Sequence, residues 1–185
     1  VILAVNRADG SILWEKTVNS ERPHESTHVT GSWASNSPVT DGEHVIASFG
    51  SRGIYCLETD GALVWKKDLG DMKVKHGHGE GSSPALYGDT VVVNWDHEGD
   101  SFAVALEKNT GEELWRAARD EVSSWSTPLI IEQAGKPQAV ITATTRVRGY
   151  DLSSGKVLWE CGGLSNNVVA SPVYGGSLLL YLINI

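Results

Sequence analysis

ALEKNTGEELW, residues 105–115, is the stretch that decides the fold, because versions of it recur along the whole chain. In each of four copies a glycine stands four residues before a tryptophan: Gly10 and Trp14, Gly61 and Trp65, Gly111 and Trp115, Gly155 and Trp159. A fixed spacing of this kind indicates one structural unit repeated several times.

Each copy is predicted to be a β-hairpin. In the copy quoted above, which we call the best copy, a short apolar run, Phe102–Leu106, leads into a polar turn that ends in Gly111, and Trp115 follows on the second strand. Such a turn suits a type I turn closed by a left-handed residue, where glycine carries no steric penalty. The turn from Glu58 to Gly61 is one residue shorter and is expected to differ. Each indole can bury roughly 150–250 Å², so the four rings are expected to wedge between neighbouring sheets.

A second marker, Ser/Thr-Pro, opens an apolar segment four times: Ser37–Pro38, Ser83–Pro84, Thr127–Pro128 and Ser171–Pro172. The prolines are 46, 44 and 44 residues apart, which leaves room for four short strands per unit. In the best copy these are predicted at Ser83–Leu86, Thr90–Trp95, Ser101–Leu106 and Glu113–Arg116. Four strands in about 40–50 residues are typical of a β-propeller blade.

The predicted fold is therefore all-β, a propeller of four-stranded antiparallel blades, with about four blades' worth of strands in a single domain over residues 1–185. Full blades are predicted at 33–69, 81–118 and 123–161, with half-blades at 1–16 and 168–185. The two halves are complementary. The chain can close on itself as a four-bladed ring, exchange halves with a second chain in an eight-bladed ring, or continue past Ile185 in nature. We predict the homodimer.

Composition narrows the class of protein. The chain has 185 residues, a net charge of −8 and a pI near 5.2, which disfavours a nucleic-acid partner. No run reaches the ~18 apolar residues of a membrane span. There is no signal peptide, but Val1 already lies in an apolar strand, so a mature fragment is expected. Cys56 and Cys161 fall in non-adjacent blades, and we expect two small buried residues, not a disulfide.

Candidate binding residues lie in the connections between repeats, which vary from 24 to 13 residues measured from Trp to Pro. Variable loops on a regular scaffold are where binding groups are mounted. If these connections share a face with the turns between second and third strands, one funnel collects Trp33, His76, His78, Trp95, Asp96, His97, Arg119, Trp125 and Arg146, together with Asp120 and Arg148. Such an aromatic and charged mouth suits a protein, a saccharide or another polar ligand. The alternative is that the tryptophans only pack the blades.

Two loops carry residues that could bind a metal ion. In an extended chain His76 and His78 face one side and could share a metal ion, with Glu80 ~13 Å from His76 and too far to join unless the glycines bend the chain. The alternative is a flexible glycine-rich loop, and His24 and His28 are weaker candidates. Asp96, Glu98 and Asp100 could bind Ca²⁺, but an acidic loop on an acidic protein is usually only solvated.

The repeat Ala-x-Asn/Asp/Glu-x-x-x-Gly-x-x-x-Trp resembles the tryptophan-docking motif of the pyrroloquinoline quinone (PQQ) propeller repeats, and Ser-Pro-x-x-x-Gly is typical of the same group. The resemblance covers essentially the whole chain. One branch of that family contains quinoprotein dehydrogenases, which bind PQQ and Ca²⁺; the other contains non-enzymatic scaffolds such as the BamB-like lipoproteins. Since both branches share the motif, it identifies the fold and not the activity.

Dehydrogenases of the alcohol branch commonly carry a vicinal cysteine pair, and this chain has none. The resemblance therefore implies a non-catalytic scaffold or binding module of the bacterial periplasm, with no catalytic residue and no cofactor. The alternative is a fragment of a PQQ- and calcium-dependent dehydrogenase.

Overall fold

The computed structural model describes residues 1–176 and 178–181. Within them sixteen strands form five sheets. The first sheet has β1 (Ile2–Val5) and β2 (Ile12–Lys16); the second has β3 (Val39–Thr40), β4 (His44–Ser48), β5 (Ile54–Glu58) and β6 (Leu63–Lys67). The third has β7 (Ala85–Tyr87), β8 (Thr90–Trp95), β9 (Phe102–Glu107) and β10 (Glu113–Ala118). The fourth has β11 (Leu129–Gln133), β12 (Lys136–Thr142), β13 (Arg146–Asp151) and β14 (Val157–Gly162), and the fifth has β15 (Val173–Gly175) and β16 (Leu178–Leu180).

Each four-stranded sheet is an antiparallel meander in chain order, as a propeller blade requires. The four strands predicted for the best copy are confirmed to within two residues at each end. Outside the strands, the described residues also contain two 3-10 turns, Gly50–Arg52 and Lys75–Gly77. In the described part of the chain, no helix has the length and apolar character to cross a membrane.

The hairpin turns have the predicted left-handed glycine. The φ angles are 75° at Gly10, 90° at Gly61, 70° at Gly111 and 69° at Gly155. The Gly111 amide donates to the Glu107 carbonyl four residues back, whereas the Gly61 amide donates to the Glu58 carbonyl three residues back. The expected difference in the shorter turn is therefore confirmed.

Three of the four indoles join one sheet to the next. Trp14 Nε1 donates to Thr59 O at 2.8 Å, Trp65 Nε1 to Lys108 O at 2.7 Å and Trp115 Nε1 to Leu152 O at 2.7 Å. A Cβ atom added to the glycine of the next turn would lie 3.0 Å from the ring at Gly61, 2.8 Å at Gly111 and 2.5 Å at Gly155. Each of these indoles therefore lies against the backbone of the following blade. Trp159 differs, because its Nε1 donates to Gln138 Oε1 within its own sheet.

The Ser/Thr-Pro positions link the second to the third, the third to the fourth and the fourth to the fifth sheet, next to their first strands. The amide of Ser37 donates to Ser83 Oγ at 2.8 Å, that of Ser83 to Thr127 Oγ1 at 3.2 Å, and that of Thr127 to Ser171 Oγ at 2.9 Å. A hydroxyl at this position therefore satisfies an amide of the preceding repeat. The sequence indicated only that a strand begins there.

The core lies between the sheets. One cluster joins the second and third sheets through Ile46, Ile54, Val91, Val93 and Val104, all at most 1% exposed, and another joins the third and fourth. The apolar middle strands are thus packed on both faces, which is why they are apolar along their length. Cys56 is buried, but Cys161, on the outermost strand β14, is exposed, so the prediction that it is buried is wrong. Both thiols are free, as expected.

Candidate functional site at the loop face

Two kinds of connection meet at one end of the sheets, which we call the loop face. They are the connections between sheets (17–38, 68–84, 119–128 and 163–172) and the turns between second and third strands (49–53, 96–101 and 143–145). The amide of Arg119 donates to Ser101 O at 2.8 Å and that of Glu98 to Lys73 O at 2.8 Å. The expectation that these connections share a face is confirmed. The opposite end carries the glycine turns and is called the turn face.

The His76–Glu80 segment is bent, not extended. Lys75–Gly77 is a 3-10 turn, and His76 has a φ of 58°. The prediction that His76 and His78 face the same side of an extended chain is therefore wrong, because the chain is not extended there. The glycines explain the bend, because a Cβ at Gly77 would lie 2.4 Å from Ser26 Oγ and φ there is 60°. Glycine is needed where the 26–28 segment packs on this loop.

The bend nevertheless brings imidazoles together. The ring of His78 lies 5.3 Å from that of His76 and 5.2 Å from that of His28, centre to centre. Its centre is also 6.3 Å from that of Trp125, whose Nε1 donates to Gly79 O at 2.7 Å. The backbone amide of His28 donates to His78 O at 3.1 Å and holds the two connections together. We call His28, His76 and His78 the imidazole cluster.

An open cavity of about 670 Å³ lies beside this cluster. We call it the mouth cavity; its lining is His28, Thr30, Ser35, His78, Gly81, Trp125, Thr127, Asn167, Val169 and Ser171. These described lining residues include no Asp, Glu, Lys or Arg. The cavity therefore offers an aromatic ring, two imidazoles and neutral hydrogen-bonding groups, a combination that suits recognition of a neutral or polar ligand.

Trp33 lies apart from the mouth cavity. Its side chain is 54% exposed, and its Nε1 donates to Glu25 O at 3.0 Å. It lines a second cavity of about 310 Å³, together with Val18, Pro23 and Phe49. The structure therefore separates Trp33 from Trp125, which the sequence placed in one funnel.

Three other predicted members of the funnel lie inside the protein. Trp95 is 2% exposed and stacks on Phe102, which fits the blade-packing alternative. The side chains of Asp96 and Arg119 are fully buried and form a bidentate pair at 2.7 and 3.0 Å. Arg119 also donates to the Tyr150 hydroxyl of the fourth sheet, and burial raises the pKa of that tyrosine. This pair therefore joins two sheets in the interior.

His97 and Arg146 occupy structural positions at the loop face, outside the mouth cavity. His97 Nδ1 accepts the amide of Lys73 at 3.1 Å. Arg146 Nη1 lies 2.7 Å from Asp120 Oδ2, and this contact lowers the pKa of Asp120 to about 2. Arg148 extends the same ionic cluster through Glu121 Oε1 at 3.1 Å.

Two of the three candidate Ca²⁺ ligands, Asp96 and Glu98, are already engaged by other groups of the protein. Asp96 is occupied by Arg119 and by Ser124 Oγ at 2.7 Å, while Glu98 Oε1 accepts Ser123 Oγ at 2.8 Å. Among the described residues, the ligand atoms that do converge belong to Asp41, Glu43 and His44 at the turn face. There, however, Asp41 already contacts Lys108 Nζ at 2.7 Å.

Comparison with known proteins places this arrangement in a family. A family model described as outer membrane protein assembly factor BamB, PQQ_2, matches residues 1–175. The chain belongs to the PQQ_2 family. The resemblance to PQQ repeats is thus confirmed. No curated protein matches the chain.

Solved structures similar to this PQQ_2 chain share its fold. BamB from Moraxella catarrhalis is 19% identical with a TM-score of 0.61, over 92% of this chain and 48% of that one. Quinohemoprotein alcohol dehydrogenase from Comamonas testosteroni is 16% identical with a TM-score of 0.56, over 76% and 22%. The computationally designed Ika4 protein is 14% identical with a TM-score of 0.50, over 85% and 91%. The chain thus spans about half of the BamB structure. Identities this low support the propeller fold and leave the activity open.

Proposed function

We propose that this chain is a non-catalytic propeller that binds a partner protein at the mouth cavity, as a scaffold in the bacterial periplasm. The carrying observation is the lining of that cavity, which has an aromatic ring and neutral polar groups and no carboxylate or fixed cation among its described residues. The family description, an outer membrane protein assembly factor, favours the same location and role.

The charged groups near the cavity support a non-catalytic role. General acid–base chemistry needs a titratable group within hydrogen-bond reach of a substrate. Asp96 and Arg119 are fully buried against each other, and Glu98 caps the backbone around Ser123. Each is therefore committed to holding the loops in place.

The chemistry of the lining favours a protein segment as the ligand. Trp125 uses its indole N–H on Gly79 O, so it offers mainly the apolar surface of its ring. Tryptophan, with tyrosine and arginine, is enriched among the residues that carry most of the binding energy of protein interfaces. The surrounding hydroxyls and the Asn167 amide can meet the backbone of such a segment.

Site-specific photo-crosslinking in cells tests this proposal. A photo-reactive amino acid at Val169, which is 66% exposed and lines the cavity, should form an adduct with one defined envelope protein. The matched position Asn109, at the turn face, should form none. Trp125→Ala should reduce the Val169 adduct at least tenfold. Equal adducts at both positions, or an adduct that carries only saccharide, would contradict a protein partner at the mouth.

The dehydrogenase alternative has its own test. The purified chain, incubated with PQQ and CaCl₂, is expected to give no dye-linked oxidation of alcohols or sugars above the rate without PQQ. A known quinoprotein dehydrogenase serves as the positive control. Robust turnover would remove the non-catalytic proposal.

We also infer that two chains complete each other through their half-blades. The supporting observation is the open surface of the first sheet: Leu3, Ile12 and Leu13 are 50%, 60% and 64% exposed, and a Cβ at Gly10 would meet nothing within 4 Å. Light scattering should give twice the chain mass, and Gly10→Ala should shift the protein towards monomer. A monomer at all concentrations would contradict the dimer.

A further inference from the structure

We propose that β16 of one chain pairs with β1 of a second copy, in a register that places Leu180 directly opposite the partner's Ala4. β15 and β16 of one chain and β1 and β2 of its partner then form one four-stranded sheet, which we call the composite blade. The inference rests on the dimer proposed above and deepens it, because it specifies the edge, the register and two further contacts.

The three complete sheets share one register, which supplies the template. In each of them the residue after the Ser/Thr-Pro proline begins a row of four residues that lie opposite one another, and the row ends at the tryptophan of the repeat. The rows are Val39, Ile46, Cys56 and Trp65 in the second sheet, Ala85, Val92, Ala105 and Trp115 in the third, and Leu129, Val140, Gly149 and Trp159 in the fourth.

The two half-sheets each contain half of such a row. In the fifth sheet Val173, which follows Pro172, lies opposite Leu180. In the first sheet Ala4 lies opposite Trp14. When the row is continued as in the complete sheets, Leu180 lies opposite Ala4, and the order of strands becomes β15, β16, β1 and β2.

The exposure of the open edges supports this pairing. Leu180 is 57% exposed, and Leu3 and Val5, on either side of Ala4, are 50% and 53% exposed. The equivalent positions of the second and third sheets are all 0% exposed: Tyr55, Leu57, Val92, Val104 and Leu106. An unpaired strand edge with apolar side chains is a template for pairing with another chain.

A second copy meets both edges at once. In the described part of one chain, β1 and β16 belong to separate sheets and are not paired. The sheets of the chain follow about half of the BamB structure, so the missing half of the ring separates the two open edges. A partner related by a two-fold axis fills that half, because each contact of such an interface is made twice.

The composite blade also provides a contact for an unused indole. Among the described residues, nothing lies within 4 Å of a Cβ added at Gly10, whereas an indole lies there at the other three turn glycines. Trp159 is the indole that bonds within its own sheet. The pairing places Trp159 on the partner's Gly10, as Trp115 lies on Gly155. Its Nε1 would then donate to the partner's Arg7 O, three residues before that glycine.

The hydroxyl bonds of the Ser/Thr-Pro positions continue in the same way. In residues 1–176 and 178–181, no hydrogen bond engages the Ser171 amide or Ser37 Oγ, which are the two ends of that series. The sheet that follows the composite blade in the ring is the partner's second sheet. The Ser171 amide can therefore donate to the partner's Ser37 Oγ.

Disulfide trapping between two chains tests the register. In a Cys161→Ser background, one chain carries Ala4→Cys and the other, with a larger tag, carries Leu180→Cys. Residues directly opposite in an antiparallel pair have Cα atoms about 4.5–5.5 Å apart, which a disulfide can bridge. Mild oxidation of the mixture should therefore give a species with the summed mass of the two chains. Leu178→Cys is the matched control; it lies diagonally across from Ala4, at about 7–8 Å, and should be trapped at least tenfold less.

A chain with both Ala4→Cys and Leu180→Cys separates the two ways of closing the ring. We expect crosslinked dimers, and an internal disulfide at the mass of one chain would overturn pairing with a second copy. Stronger trapping at Leu178 than at Leu180 would overturn the register. Doubled mass in light scattering without trapping of either pair would overturn the composite blade and leave the dimer standing, whereas a monomer would contradict both.

The indole contact has a separate test. Trp159→Phe keeps an aromatic ring and loses the N–H donor at two places in the dimer, so it should raise the dissociation constant of the dimer at least tenfold. Trp33→Phe is the matched control and should leave the constant unchanged. Sedimentation equilibrium measures both, and circular dichroism checks that each variant is folded. An unchanged constant for Trp159→Phe would overturn the contact with the partner's Gly10.

Discussion

The turn face and the loop face are built on different principles. At the turn face the same contact is made three times, with an indole of one sheet on the glycine of the next and a hydrogen bond of 2.7–2.8 Å. At the loop face the repeated contact is the hydroxyl bond of the Ser/Thr-Pro positions. Beyond it each connection makes its own contacts: His28 meets His78, Glu98 meets Ser123, and Glu121 meets Thr145. Repetition therefore fixes the scaffold, while the unrepeated loops are free to carry recognition.

The largest expected difference between the faces is the effect of removing a tryptophan. Trp115→Ala removes a ring that is 8% exposed and a hydrogen bond to Leu152 O, so it should lower the free energy of unfolding by about 3–5 kcal/mol. Trp33→Ala removes a ring that is 54% exposed and should cost less than about 1 kcal/mol. Urea unfolding of both variants measures the difference. Equal losses of unfolding free energy would contradict the view that the turn-face indoles stabilise the scaffold more than the loop-face indole does.

The same contrast explains what the sequence could predict about the fold. The Gly–Trp spacing and the Ser/Thr-Pro marker recur, so four strands per repeat and the left-handed glycine could be deduced from local chemistry. Wedging of the indoles between sheets could also be expected. That Trp115 lies on Gly155, forty residues later, could not, because the spacing does not say which part of the neighbouring sheet the ring contacts. The partner of a side chain in another blade depends on how the sheets stack.

The candidate site was less predictable for a related reason. Asp96 and Arg119 are the kinds of residue expected in a charged mouth, but they pair with each other in the interior. The sequence alone does not show whether a loop residue is buried. From the sequence His28 is only a weak candidate for a metal ligand, because it lies in an irregular connection. The signal that could have raised it is the pair Gly77 and Gly79, since two glycines flanking a histidine indicate that another segment packs closely there.

A second, smaller effect is the loss of stability when a turn-face glycine is replaced by alanine, which should depend on whether an indole packs against that glycine. Gly155→Ala adds a Cβ 2.5 Å from the Trp115 ring at a φ of 69°, so both overpacking and backbone strain apply, and the cost should be about 3 kcal/mol. Gly88→Ala is the matched control. Its φ is 55° and nothing lies within 4 Å, so only the strain of about 1–2 kcal/mol remains. Equal values in urea would mean that the indole moves aside freely.

The smallest effect is the dependence of stability on pH, which has opposite signs at the two faces. At the turn face, hydrogen bonds from Ser153 and Ser154 lower the pKa of Asp151. Its contribution to stability is present above the unfolded value of 3.8 and is lost as pH falls through the folded value. At the loop face, burial raises the pKa of Glu80, although the bonds from Ser51 oppose the shift. The contribution of Glu80 to stability is fully present below its unfolded pKa of 4.5 and is lost as the pH rises through its higher pKa in the folded protein.

Charge-neutral variants separate the two contributions. Asp151→Asn should lose less stability than the wild type when pH falls from 5 to 3, because it no longer has a carboxylate to protonate. Glu80→Gln keeps an acceptor for the Ser51 amide and removes the buried charge, so its stability relative to the wild type should be higher at pH 8 than at pH 4. Urea midpoints across this range measure both slopes. Parallel curves for Glu80→Gln and the wild type would mean that the Ser51 bonds fully offset the burial of the Glu80 carboxylate, and that the two faces do not differ in this respect.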